Sequence, residues 1–159
     1  MTEIVKADFS LPNHADAVLQ LMDAYALDPM GGGKGLSSFV KTNLLTELAK
    51  RESAHIILAF VDASPAGLAV CFEGFSTFAC KPLLNIHDLM VALPYRGRGL
   101  SKLLLQKAEE IALSLGCCKL TLEVFERNHI ARSAYKSFGF SGYELSPQTG
   151  KALFWEKKL

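Results

Sequence analysis

The stretch "LPYRGRGLSKLL", Leu93–Leu104, carries an apolar, strand-like segment into the clearest helical pattern of the chain. Leu104, Ala108, Ile111 and Leu115 recur at helical spacing, with Leu103 and Ala112 beside them. Lys102, Gln106, Lys107, Glu109, Glu110 and Ser114 occupy the other faces, and Gly116 is the natural stop. The first-turn N–H groups of such a helix have no intrahelical partners and carry partial positive charge, so an anion is stabilised there. Gly97 and Gly99 keep Cβ atoms out of the way, and Arg96 and Arg98 add formal charge. By itself the stretch admits two readings, a cradle for a phosphate or pyrophosphate and an ordinary basic turn. It is not a nucleotide P-loop, which ends in GK[ST], nor a GxGxxG fingerprint, since Lys102 stands where the third glycine belongs.

Outward from this loop, "LLNIHDLMVAL" before it reads as a strand, and "HIILAFVD" and "GLAVCFEGFST", joined by the turn "ASPAG", as two more. Three successive strands predict an antiparallel meander. Further upstream, "EIVKADF" reads as a first strand. A helix with Asn13 as its N-cap carries Ala17, Val18, Leu21, Met22 and Tyr25 on one face. "DPMGGGKG" interrupts it, and a second helix begins at Ser37 or Ser38, with Phe39, Val40, Leu44, Leu45 and Leu48 as its apolar positions. "GGGKG" is no P-loop either, because Gly35 follows Lys34. Downstream, "KLTLEVF" is a strand with Leu120, Leu122 and Val124 on one face. A short helix runs from Asn128 to Phe138, ended by Gly139, and "SGYEL" and "ALFWEKK" read as final strands around "SPQTG". The order is β-α-α-β-β-β-α-β-α-β-β. It predicts an α+β sandwich on a mixed, mostly antiparallel sheet, with strands 4 and 5 parallel across the intervening helix.

The 159 residues suit one domain, and half of them are hydrophobic, enough for one core. A net charge of +1 does not imply broad capture of nucleic acid or anionic membrane. The longest clean apolar run, Ile56–Val61, is too short to cross a bilayer, and no targeting segment is visible. Cys71, Cys80, Cys117 and Cys118 lack CxxC spacing, so the expectation is reduced thiols in a cytoplasmic protein with no bound metal.

Taken together, "YRGRGLS", the helix and strand after it, and "NHIARSAYKSFGF" resemble the GNAT superfamily of acetyl-CoA-dependent N-acetyltransferases. That family's signature is Q/R-x-x-G-x-G/A. Arg96 and Gly99 match it, and Ser101 stands in its last place. Asn128, Ala131, Tyr135, Gly139 and Phe140 match the second signature, and the likeness covers about residues 84–159. It implies one N-acetyltransferase domain over residues 1–159, with strands 4 and 5 splayed. It implies a pyrophosphate on the amides of Arg96, Gly97, Arg98, Gly99, Leu100 and Ser101. The pantetheine arm would bond like an added strand to the main chain of Leu89, Met90 and Val91, with Asn128, Ala131 and Tyr135 also on the cofactor side. A serine at position 101 is one oxygen larger than alanine, and its hydroxyl can donate to a phosphate or cap the helix.

The reaction expected is direct attack of an amine on the thioester of acetyl-CoA in a ternary complex. Tyr135 is the implied acid for the departing thiolate, unless it merely packs at helical spacing. The base is Asp88, Glu73, Glu123 or a relayed water. "HDLMV" resembles the E/D-D-L-x-V run of the diamine and thialysine acetyltransferase branch, with Asp88 at its second acid and His87 in place of the first. Strand alternation sets His87 on the face opposite Asp88. In similar proteins the loop between the first two helices lines the acceptor pocket, so Asp28, Met30 and Phe39 are the substrate-side candidates, and Phe75, before strand 4, could add apolar wall. The partner expected is a small-molecule primary amine, with no nucleic acid and no membrane, and an exposed last strand that could support a homodimer. The other functional readings are a protein N-terminal or lysine acetyltransferase and a non-catalytic acyl-CoA sensor.

Overall fold

The computed structural model describes residues 1–159, which divide into two compact units, Met1–Phe125 and Glu126–Leu159. In the first unit the chain forms β1 (Thr2–Lys6), α1 (Pro12–Leu27), α2 (Ser38–Ala49), β2 (Ala54–Val61), β3 (Ser64–Ser76), β4 (Lys81–Val91), α3 (Leu100–Ser114) and β5 (Leu120–Leu122). The five strands make one sheet in sequence order. β1 to β4 are antiparallel neighbours, and β5 runs parallel to β4, as the helix between them requires.

Helices cover both faces of this sheet, which is why β2 reads as a continuous apolar run instead of alternating. One face carries Ile56, Leu58, Phe60, Leu68, Val70 and Met90, packed with Ala17, Val18 and Leu21 of α1 and Leu48 of α2. The other face meets α3, whose Leu104, Leu105 and Ala108 are buried. At Gly67 a Cβ would lie 3.1 Å from Leu104 Cδ1, so the odd-numbered residues of β3 face α3.

Local signals decide the helix ends. Ser37 caps α2 by accepting from the Val40 amide at 3.2 Å. α1 begins two residues earlier than an Asn13 cap would place it. Pro12 has no amide proton to satisfy and a preset φ, so it takes the first helical position and Asn13 lies inside the helix. α3 closes on Gly116 at φ 71°, with Gly116 N–H donating to Leu113 O and Cys117 N–H to Ala112 O.

Two departures matter for the site. β5 stops at Leu122 and pairs only with Leu84–Ile86, so Val124 lies outside any strand and β4 beyond Ile86 has no strand on that side. This is the splay between strands 4 and 5. The β3–β4 register also shifts: Val70 opposes Asp88 while Cys71 opposes Ile86, leaving His87 as the extra residue of a bulge.

The second unit holds α4 (His129–Phe138), with Asn128 capping it through a 3.2 Å bond from the Ala131 amide. Gly139 closes it at φ 106°. The two final strands expected around Ser146–Gly150 reduce to one antiparallel bridge, Glu144 to Lys151. Alternation and a turn mark a hairpin, but a ladder needs backbone groups paired along its length, and here pairing stops after that bridge.

Candidate active site

The loop after β4 is built as its composition demands. Gly97 and Gly99 adopt φ 76° and 78°, and Gly99 forms the N-cap of α3 with no side chain capping the helix. Ser101 therefore does not cap α3, and the first-turn amides stay directed out of the helix. A Cβ at either glycine would meet nothing within 4 Å in the chain, so the glycines serve the left-handed backbone conformation, not internal packing. The Arg98 guanidinium lies 5.5 Å above the Tyr95 ring.

Antiparallel alternation assigns the β4 backbone. Ala92 N–H donates to Ala66 O at 2.9 Å, so Met90 exchanges its bonds with Leu68 on β3. Leu89 and Val91 turn their backbone groups the other way, to the edge where β5 has ended. Met90 thus cannot present its main chain to a cofactor arm, contrary to expectation, and its side chain is buried in the core. The residues that can are Leu89 and Val91.

Beside this edge lies an electrostatic cluster that links three elements. Arg96 donates through Nε to Val91 O at 3.0 Å and through Nη2 to Asp28 Oδ2 at 2.6 Å. This pairing, with the Met30 amide on Asp28 Oδ1, holds the Asp28 carboxyl below the usual carboxylate range. Asp28, expected to meet an amine, is already occupied by an arginine. Asp88, on the α1 face opposite Val70, is half-buried, and burial raises its pKa against the opposing charge of His87. Tyr25 on α1 is half-buried. Its hydroxyl is pushed up by burial and then by the charges of Asp88 and Asp28.

His87 does not take the opposite face from Asp88. The bulge breaks the alternation and brings its ring within 5.6 Å of Phe72, which packs on the α1 side. Glu73 is the reverse case. It lies three residues from Val70 on β3, hence on the α3 face, with Oε1 2.7 Å from the buried His55 Nε2. The structure therefore does not bring Glu73 to Asp88. Glu123 is exposed just past β5. Met30 is exposed in a 3-10 turn, Pro29–Gly31, beside Asp28, and Phe39 is exposed on the first turn of α2. Phe75 is exposed near the β3–β4 hairpin, five residues beyond Val70. That separation is roughly 16 Å along the strand from the position facing Asp88.

Tyr25 reads as a core position in the sequence, and the structure adds a polar role for its hydroxyl end, between Asp88 and Asp28. Its spacing to Asp28 held the signal: residues three apart share a helix face. In the second unit, Tyr135 is half-buried on α4 with its ring 6.0 Å from that of Phe140, whose amide bonds to Tyr135 O.

Comparison with known proteins agrees with this construction. The thialysine N-epsilon-acetyltransferase of Caenorhabditis elegans is 26% identical over 130 residues, covering 81% of this chain and 78% of the relative. A solved structure of a probable acetyltransferase superposes with a TM-score of 0.81 at 22% identity, covering 98% of this chain and 99% of that one. The structure of AAC(6')-Iy in complex with a bisubstrate analog, CoA-S-monomethyl-acetylneamine, gives a TM-score of 0.78 at 16% identity, over 100% of this chain and 99% of that one. At these identities the two structures speak for the fold alone. A model of the acetyltransferase (GNAT) family matches residues 20–140, both signatures included, and the chain belongs to that family, whose acetyl donor is acetyl-CoA.

Proposed function

We propose that the chain is a single N-acetyltransferase domain that moves the acetyl group of acetyl-CoA to a primary amine of a small cationic compound in the cytoplasm. The observation that carries this reading is the edge of β4 at Leu89 and Val91, which no strand covers and where Arg96 takes only the Val91 carbonyl, running into the uncapped N-terminus of α3. An amide-bearing arm and a pyrophosphate fit that edge and that helix end in one continuous path. The relatives support the substrate class: the names of several matched proteins specify thialysine, L-ornithine or streptothricin as acceptor.

In the proposed reaction the amine first loses a proton, because a free alkyl ammonium with pKa ~10.4 has no lone pair to offer at neutral pH. Asp88 takes that proton. Its raised pKa makes it a better base than an ordinary aspartate, and Glu73 and Glu123 are not placed beside it. The nitrogen lone pair attacks the thioester carbon, the N–C bond forms and the oxygen becomes an oxyanion. An edge amide of β4 is the donor for it. Collapse breaks the C–S bond and Tyr135 gives the thiolate its proton, while the attacking nitrogen sheds its second proton to solvent, which returns one to the tyrosinate and leaves a neutral amide. Met30 and Phe39 lend apolar surface on the amine side.

The test is turnover of acetyl-CoA with a panel of diamines, basic amino acids and aminoglycosides, read as acetylated product by mass spectrometry. Product with at least one small amine is expected. Tight binding of CoA with no product from any amine, or product only with peptides, would replace this reading with a sensor or a protein acetyltransferase.

A further inference from the structure

We propose that Arg96 and Asp28 are a positioning pair that fixes the amine-side loop, residues 28–36, against the end of β4, so that the loop's register depends on a side chain of the cofactor-side turn. The inference rests on the acetyltransferase reading above and adds a role that neither residue was expected to have.

The guanidinium donates in two directions. Nε holds Val91 O, on the strand edge where Leu89 and Val91 face outward, and Nη2 holds Asp28 Oδ2. Asp28 in turn organises the loop after α1. Its other carboxylate oxygen accepts from the Met30 amide, and its carbonyl accepts from Gly31 N–H at 2.8 Å and Gly33 N–H at 3.1 Å. Gly31 has no room to shift inward, since a Cβ there would lie 1.9 Å from Tyr25 O. Gly32 and Gly33 follow at φ 115° and 74° with open space around them, which gives the loop a hinge. Its far end is pinned to α1 separately: Asp23 accepts from the Leu36 amide at 2.8 Å and pairs with Lys41 at 2.7 Å. Asp23 ties the loop to its own helices. Asp28 ties it to β4 and the turn of residue 96, across 68 positions of sequence.

Two consequences separate this pair from a direct contact between Asp28 and the amine. Removing either charge should loosen the same loop, and removing the second should add nothing. If Asp28 instead bound the amine itself, loss of Arg96 would leave a bare carboxylate and would not impair amine binding.

The experiment compares wild type, Asp28→Asn, Arg96→Gln and the double variant in two ways. Hydrogen exchange on the unliganded proteins reads the Gly31 and Gly33 amides. Both single variants should exchange there about tenfold faster than wild type, and the double variant no faster than either. Kinetics at saturating acetyl-CoA read the amine. Both single variants should raise its KM about tenfold, with the loss falling mainly on KM, and the double variant should match the singles. Asparagine keeps the acceptor for the Met30 amide, so Asp28→Asn tests the ion pair and not the turn. Unchanged exchange in Arg96→Gln, a KM effect confined to Asp28→Asn, or independent effects that multiply in the double variant would each overturn the pairing. If no amine is turned over, the acetyltransferase reading fails while the exchange measurement still decides the pair.

Discussion

His55 Nε2 lies 2.7 Å from Glu73 Oε1, and this bond joins β2 to β3 on the sheet face that carries α3. The pair is structural. His55 is buried and its Nδ1 has no partner, so Glu73 satisfies the one ring nitrogen that is bonded. Glu73→Ala should cost about 1–3 kcal/mol by leaving the imidazole without a hydrogen bond, while Glu73→Gln should recover most of that. Denaturant unfolding measures both. Neither variant should change the pH profile of turnover, and a lost basic group in that profile would return Glu73 to the chemistry.

Asp88 should show itself in pH dependence. Its folded pKa lies above the ordinary carboxylate value, chiefly through burial. Ionising it therefore costs folding free energy. The protein is favoured while Asp88 is protonated and loses that advantage as pH rises through the interval between the unfolded and the folded pKa. Asp88→Asn should raise Tm at neutral pH and leave it nearly unchanged in acid. The same substitution should abolish the acid limb of the kcat/KM profile. A Tm lower than wild type at neutral pH would contradict the burial argument.

Tyr135→Phe removes one oxygen from α4 and leaves its ring packing on Phe140. If the hydroxyl protonates the thiolate, kcat should fall by roughly 10²–10⁴ with CoA affinity nearly intact. Isothermal titration with CoA and steady-state kinetics separate the two quantities. Unchanged kcat removes Tyr135 as the acid.

Gly99 stands at φ 78° in the N-cap of α3, with open space where a Cβ would be. Gly99→Ala should cost about 1–2 kcal/mol of stability from the left-handed backbone alone. Gly99→Val should, in addition, weaken CoA binding beyond that loss, because its branched side chain covers the amides. Normal CoA affinity in Gly99→Val would argue against an amide cradle.

The four thiols should divide by burial. Cys80 and Cys118 are exposed, whereas burial pushes Cys71 up to about 12, with the Asp88 charge acting the same way. A thiol dye should label Cys80 and Cys118 in the native protein and reach Cys71 only on unfolding. Fast native labelling at Cys71, located by peptide mapping, would contradict its placement.

Much of the fold was legible in short-range pattern. The spacing of Leu104, Ala108 and Ala112, the start of α2 at Ser37 or Ser38, the cap at Asn128, and the left-handed stops at Gly116 and Gly139 each depend on a few neighbouring residues. So does the turn before α3, where two positive-φ glycines open a helix whose first amides have no intrahelical partner. Charges and strand faces were another matter. The bulge at His87 follows from how β4 meets β3, not from its own alternation, and it moved His87 to the face of Asp88. Asp88 led Glu73 as a candidate base in the sequence, yet both could face one pocket, and only the register set them on opposite faces.

The chain's local chemistry thus determined its elements, the glycine turn before α3 and the family likeness those carry, because caps, turns and periodicity are satisfied within a few residues. The tertiary structure decided which charges are partners. Asp28 and Arg96 meet across 68 positions because β4 and the end of α1 are brought together by a sheet and a core that no short segment encodes. An ion pair depends on the position of both its members, and for residues so far apart in sequence that position exists only once the sheet has formed.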